Sequence, residues 1–194
     1  MKVLIVFESA YGNTRQVADA IGAGFEDRDE VTLVPVAEGV PTPLPADLIV
    51  VGGPTHVHGL ATPTSWRAAV EAAGQDPTLT LEPTACGAHL REWLNALPHS
   101  QGRAAAFDTR VDAPVLLTGH ASGTIARRLK RRGYHLIVDP ESFLVDHEST
   151  LIDGELERAR RWGEALSAEM HAADPDILNA VADRSMVSTR QLTR

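Results

Sequence analysis

Short unbroken apolar runs alternate along this chain with longer stretches whose apolar residues recur at every third or fourth position. The first run, Val3 to Phe7, is too short for a helix and reads as a strand covered on both faces. Thr14, Val17, Ala18, Ile21 and Phe25 then repeat at helical spacing, so a helix with one buried stripe follows. "VTLVPV" (31–36) predicts a second strand and "DLIVVGG" (47–53) a third. The connection between them, "PTPLP" (41–45), leaves little room for a helix. Thr62-Pro63 opens the next helix with a hydroxyl cap and a first-turn proline, and Trp66, Val70 and Ala73 give it an apolar face.

Residues 74–87 are polar and turn-rich and read as a surface excursion. Leu90, Trp93, Leu94 and Leu97 predict a helix, "RAAAF" (103–107) a fourth strand, and Ile125, Ala126 and Leu129 another helix. "YHLIV" (134–138) predicts a fifth strand, with "SFLV" (142–145) its continuation or a short extra strand. Leu156, Ala159, Gly163, Leu166 and Met170 mark a long final helix begun at Asp153. Strands alternating with helices imply a parallel sheet with helices on both faces. Ligands of such sheets bind beyond the carboxyl ends of the strands. Three loops leave those ends: 8–14, 52–62 and 108–122.

One domain over 1–172 accounts for this pattern, with 173–194 as a tail. "DPDILNAVADR" within the tail can form a short helix capped by Asp174, and the chain beyond Arg184 reads as disordered. Composition narrows the function. A net charge of −8 and the pI near 5.4 argue against a nucleic-acid binder. The one cysteine, Cys86, excludes an intramolecular disulfide, suits a reducing cytoplasm and has no neighbouring base to activate it. No apolar run approaches a membrane span, and Glu8 cuts short the one apolar start that resembles a signal peptide. A cytoplasmic protein is expected.

The first loop, "SAYGNT", joins a buried strand directly to a helix. Ser9, Asn13 and Thr14 offer side-chain donors, the amides of 10–14 offer more, and Gly12 permits a tight turn. The helix that follows presents unpaired amides and a positive dipole end, which favour an anion. No G-K-[ST] and no G-x-G-x-x-G is present, so neither a triphosphatase loop nor a dinucleotide fold is indicated. A capped helix without any ligand is the competing reading of this loop alone.

"LIVFESAYGNTRQVADAI" resembles the phosphate-loop signature of the flavodoxin family, and "LIVVGGPTHVHG" is similar to that family's second flavin loop. The resemblance implies a flavodoxin-like three-layer α/β fold whose five-stranded parallel sheet has the order 2-1-3-4-5. It implies bound flavin mononucleotide (FMN), with the phosphate on Ser9, Ala10, Tyr11, Gly12, Asn13 and Thr14. The ring would lie between Pro54, Thr55, His56, Val57, His58 and Gly59 on one side and Asp108, Thr109, Arg110 and Asp112 on the other. It implies an electron-transfer protein serving a redox partner protein. A nicotinamide-dependent quinone-type reductase is the alternative, and a flavin-free binding module a third reading, which the donor-rich loop disfavours.

Flavodoxins flank the ring with aromatic residues. Here the second loop offers His56 and His58, and the third offers none. Looser packing by imidazole and by Val57 or Val111 is expected. Arg110, with His56 or His58 if protonated, would favour the anionic reduced flavin and make its potential less negative than in an acidic flavodoxin.

"APVLL" (113–117) reads as buried core or strand rather than a lid. His120 or Ser122 is expected to cap the helix after it. No ligand set for a metal is expected, and the histidines outside the second loop, His89 among them, read as surface or capping groups. "RRLKRR" (127–132) reads as a solvated helix face, with docking of an acidic partner as the alternative.

Overall fold

β1 (Lys2–Phe7) is the centre from which the sheet grows. It pairs in parallel with β2 (Glu30–Pro35) on one side and β3 (Leu48–Pro54) on the other. β3 carries β4 (Arg103–Val111), β4 carries β5 (His135–Leu136), and the order is β2-β1-β3-β4-β5, all parallel. The computed structural model describes residues 1–40, 46–56, 59–86 and 89–172. The expectations for 41–45, for Val57 and His58, for the Cys86 thiol and for 173–194 lie outside the described residues.

The last sheet position differs from expectation. It is held by two segments, β5 (His135–Leu136) and β6 (Glu141–Val145), both paired with β4 at different heights. Ile137 still donates to the Ala104 carbonyl, but the chain then bends towards Pro140, which has no N–H for the ladder. The predicted fifth strand is thus cut short and "SFLV" resumes it.

Helices cover both faces. α3 (Leu90–Ala96) and α5 (Ala121–Arg131) pack on Leu4, Val6, Ile49 and Val51. α1 (Asn13–Gly22) and α6 (Glu155–Ala172) pack on Val3, Ile5, Phe7 and Phe107 from the other side. α1 and α6 approach closely through two glycines. A Cβ at Gly24 would stand 2.1 Å from the Arg160 carbonyl oxygen, and one at Gly163 2.1 Å from that of Ile21.

α2 (Pro63–Gln75) starts as predicted, with Thr62 and Ser65 forming a reciprocal capping box. Its inward face is Trp66 and Ala69, whereas the predicted Val70 is exposed. On α6 the predicted Leu156 is exposed and Glu155 turns inward, held by Arg158 and by the Leu144 amide.

Two loop readings also change. Residues 82–86 fold back over the first loop: the Glu82 amide donates to the Ala10 carbonyl, its carboxylate pairs with Arg15 at 2.8 Å, and Ala85 is buried. "APVLL" is not core. β4 already runs on to Val111, so this stretch leaves the sheet and winds as the one-turn α4 (Val115–Thr118). Leu116 is 92% exposed and Leu117 68%.

Candidate functional site

Loop one, the end of β3 and the end of β4 meet above the carboxyl edge of the sheet. Between them lies a cavity of about 330 Å³. Gly12 adopts φ 90° and caps α1, and the first helical bond runs from Gln16 N to its carbonyl. The amides of Asn13, Thr14 and Arg15 therefore precede any intrahelical acceptor and are available to an anion.

The side chains of this loop are already engaged. Ser9 Oγ accepts from the Gly12 amide at 3.2 Å. Tyr11 donates its hydroxyl to the Ala69 carbonyl at 2.7 Å, and Asn13 Nδ2 donates to the Ser149 carbonyl at 2.5 Å. Thr14 and Thr109 share a buried hydroxyl–hydroxyl bond of 2.8 Å. These groups brace the cradle, so the donors left for an anion are backbone amides. Arg15 stands one residue beyond the motif, but Glu82 neutralises it.

The second loop closes on itself. His56 N donates to the Gly59 carbonyl at 2.8 Å and Gly59 N donates to the His56 carbonyl at 3.1 Å, which pairs these two residues in an antiparallel bridge. The His56 ring leans on Trp66 with centroids 5.7 Å apart. Burial holds its pKa below the ordinary histidine value. It is neutral near pH 7 and does not supply the cation considered above.

Of the sixteen predicted residues, Ala10, Tyr11, Asn13 and Thr14 from loop one line the cavity. Pro54, Thr55 and His56 line it from β3 and its loop, and Thr109 and Arg110 from β4. Ser9, Gly12, Gly59, Asp108 and Asp112 are not on its wall. Asp112 is exposed. Asp108 is fully buried and structural: its Oδ2 accepts from Thr55 Oγ1 at 2.8 Å and from the Ser122 amide at 2.9 Å. With Thr55 Oγ1 accepting from the Ala121 amide, these two residues cap α5. His120 holds the cap position without a side-chain cap bond, so neither it nor Ser122 performs the expected capping. The 108–111 segment is strand, because its pairing with β3 and β6 continues past Phe107.

Other walls were not predicted. α2 contributes Ser65, Ala68 and Ala69, while Val145 and Ser149 close the cavity from beyond β6. Alanines at adjacent helical positions are a faint signal of a close ligand. Nothing local in the sequence links Asn13 to Ser149, 136 residues away.

A second buried cluster was also missed. Glu8, only 5% exposed, pairs with His89 Nδ1 at 2.9 Å. Burial pushes the Glu8 carboxyl above its ordinary pKa, against the His89 hydrogen bond. His89 in turn meets the Trp66 ring edge-on at 5.1 Å, so it is a packed partner rather than a surface group. Among the described residues no group of three His, Cys, Asp or Glu side chains can hold a metal ion, and no helix is long and apolar enough to cross a membrane.

No family model and no curated protein matches the chain. Solved structures do. The chain is similar to a flavodoxin from the domain Archaea, at 22% identity and a TM-score of 0.58, over 88% of this chain and 99% of that one. It is similar to oxidised flavodoxin 1 from Bacillus cereus at 20% identity and a TM-score of 0.59, over 90% and 99%. It also matches the rubredoxin oxygen:oxidoreductase of Desulfovibrio gigas at 15% identity and a TM-score of 0.57, over 88% of this chain and 36% of that one. Strand order, helix placement and these likenesses together make this a flavodoxin-like α/β fold.

Proposed function

We propose that this protein binds FMN without a covalent link and carries electrons between partner proteins. The observation that carries the reading is the convergence of free first-turn amides and an apolar-walled cavity at one sheet edge. A phosphorylated planar ligand suits that pairing. Two polar atoms on the wall residues, His56 Nε2 and Arg110 Nε, are buried without a hydrogen-bond partner among the described residues. Orphaned groups of this kind fit the polar edge of a bound heterocycle.

In this reading the amides of Asn13, Thr14 and Arg15 hold the phosphate. Tyr11, Ala68, Ala69 and Val111 flank the ring, and His56 and Arg110 face its polar atoms. FMN supplies the redox chemistry when bound, and the chain supplies position and electrostatics. Arg110 Nη1 is anchored to the Val111 and Ala113 carbonyls, which keeps its charge at the cavity rim. That cation favours the anionic reduced form of a neighbouring flavin. A cytoplasmic protein follows the same reading.

One observation favours a second reading, a reductase that takes hydride from a nicotinamide. A polar cavity of about 440 Å³ adjoins the first and shares Tyr11 and Ser149 with it, which leaves room for a second substrate. Mixing the FMN-loaded protein anaerobically with NADH and NADPH separates the two. A carrier leaves the flavin oxidised on the turnover timescale, and a reductase bleaches it.

A further inference from the structure

Resting on the electron-carrier reading, we infer that the α3–α5 face docks a partner protein through an acidic surface patch. Six cations gather there: Arg127, Arg128, Lys130, Arg131 and Arg132 from α5 and its end, and Arg91 from α3. Among the described residues none of the six forms an ion pair with a carboxylate. Arg128 and Arg132 instead bond the side chain and carbonyl of Asn95, which joins the two helices into one surface.

The charges are close enough to feel one another. The Arg128 guanidinium is held below its ordinary pKa, first by burial and then by Arg91, Arg131 and Arg127, with Glu92 of α3 opposing them only in part. A protein of net charge −8 that keeps unneutralised cations together carries a repulsion that an acidic partner would relieve. The five cations of α5 and its end fall within residues 127–132, Arg127, Lys130 and Arg131 are exposed, and none of the six lines either cavity described above. An exposed array joined across two helices suits the surface of a protein better than one small phosphate.

The face also reaches the candidate site. Arg91 donates to the Leu60 and Ala61 carbonyls at 2.5 and 2.8 Å, fixing the end of the second loop. Arg127 Nη2 bonds Thr124 Oγ1 at 3.0 Å, and that oxygen lies 3.8 Å from where a Cβ on Gly59 would stand. A partner seated on Arg91 and Arg127 therefore rests beside the loop that borders the cavity, where a short electron path is needed.

The test uses the full chain and a purified plant-type ferredoxin, an acidic one-electron protein, as the probe. Binding is followed by fluorescence anisotropy with and without FMN. The double variant R127E/R131E is compared with R160E/R161E, which makes the same charge change on exposed positions of α6 across the sheet. Expected is a complex that weakens about tenfold between about 20 mM and about 300 mM salt. R127E/R131E weakens it about tenfold while FMN affinity holds, and R160E/R161E leaves it nearly unchanged. The inference is overturned if no complex forms, if salt has no effect, or if both double variants weaken it equally. Dependence on Arg127 and Arg131 seen only with anionic vesicles or NADPH also overturns it. Ferredoxin binding by a chain that takes up no FMN would keep the docking face and overturn the carrier reading.

Discussion

The hydroxyls of Thr14 and Thr109 meet at 2.8 Å in a buried hydrogen bond that ties the first turn of α1 to the end of β4. It links the cradle that offers amides to an anion with the strand that walls the cavity. Thr14→Val keeps the shape but leaves the Thr109 hydroxyl buried and unpaired. The expected cost is about 1–3 kcal/mol of folding stability, read as a lower urea midpoint with an unchanged slope. An unaltered midpoint would remove the bond from the account.

The Ala68 side chain, exposed on α2, lines the cavity and has no hydrogen-bonding group. Ala68→Trp places an indole in the space assigned to the ring. FMN affinity is expected to fall at least about a hundredfold while the thermal midpoint moves by less than about 1 kcal/mol equivalent, since the position is exposed. Calorimetric titration beside a melting curve reads both.

Much of this was legible in the sequence, for identifiable reasons. "KVLIV" and "LIVVGG" are strands because unbroken apolar runs of this length suit a buried parallel sheet, and Thr62-Pro63 spelled out a capped helix start. The cavity wall from loop one, β3 and β4 was legible because parallel sheets place ligands at that edge. What could not be read was long-range pairing. Asp108 looked like a ring contact, yet it is fully buried under the start of α5, where two donors need its carboxylate. "APVLL" looked like core because hydrophobicity alone cannot tell a sheet segment from an exposed turn held at its base by Arg110. Glu8 and His89, 81 positions apart, carry no shared local signal.

His56 makes stability depend on pH with a definite sign. Burial lowers its folded pKa below the ordinary 6.5, so above that value neither folded nor unfolded chain carries the proton. Below it the unfolded chain takes up a proton that the folded one resists, and stability falls as the solution is acidified. His56→Gln should lose that component. The variant's stability, relative to wild type, should rise between about pH 7.5 and about pH 5.5 in urea melts. Parallel pH curves would contradict the assignment.

Arg110 sets the charge at the cavity rim. Arg110→Gln removes the cation that would favour the anionic reduced form of a bound flavin. The midpoint potential of the FMN-loaded protein should move negative by some tens of millivolts in a spectroelectrochemical titration. An unchanged potential would mean that the guanidinium does not act on the flavin.

In the proposed function, backbone amides at the start of α1 hold the phosphate of a flavin mononucleotide. The most direct measurement is a flavin-fluorescence titration of the purified protein with FMN, beside riboflavin, which has the same ring and no phosphate. Expected is one FMN per chain with quenched emission, and riboflavin binding weaker by at least about tenfold, the size of an anion's interaction with a helix start and its amides. Equal affinity for the two flavins would contradict the phosphate cradle, and uptake of neither would leave a flavodoxin-like fold without its flavin.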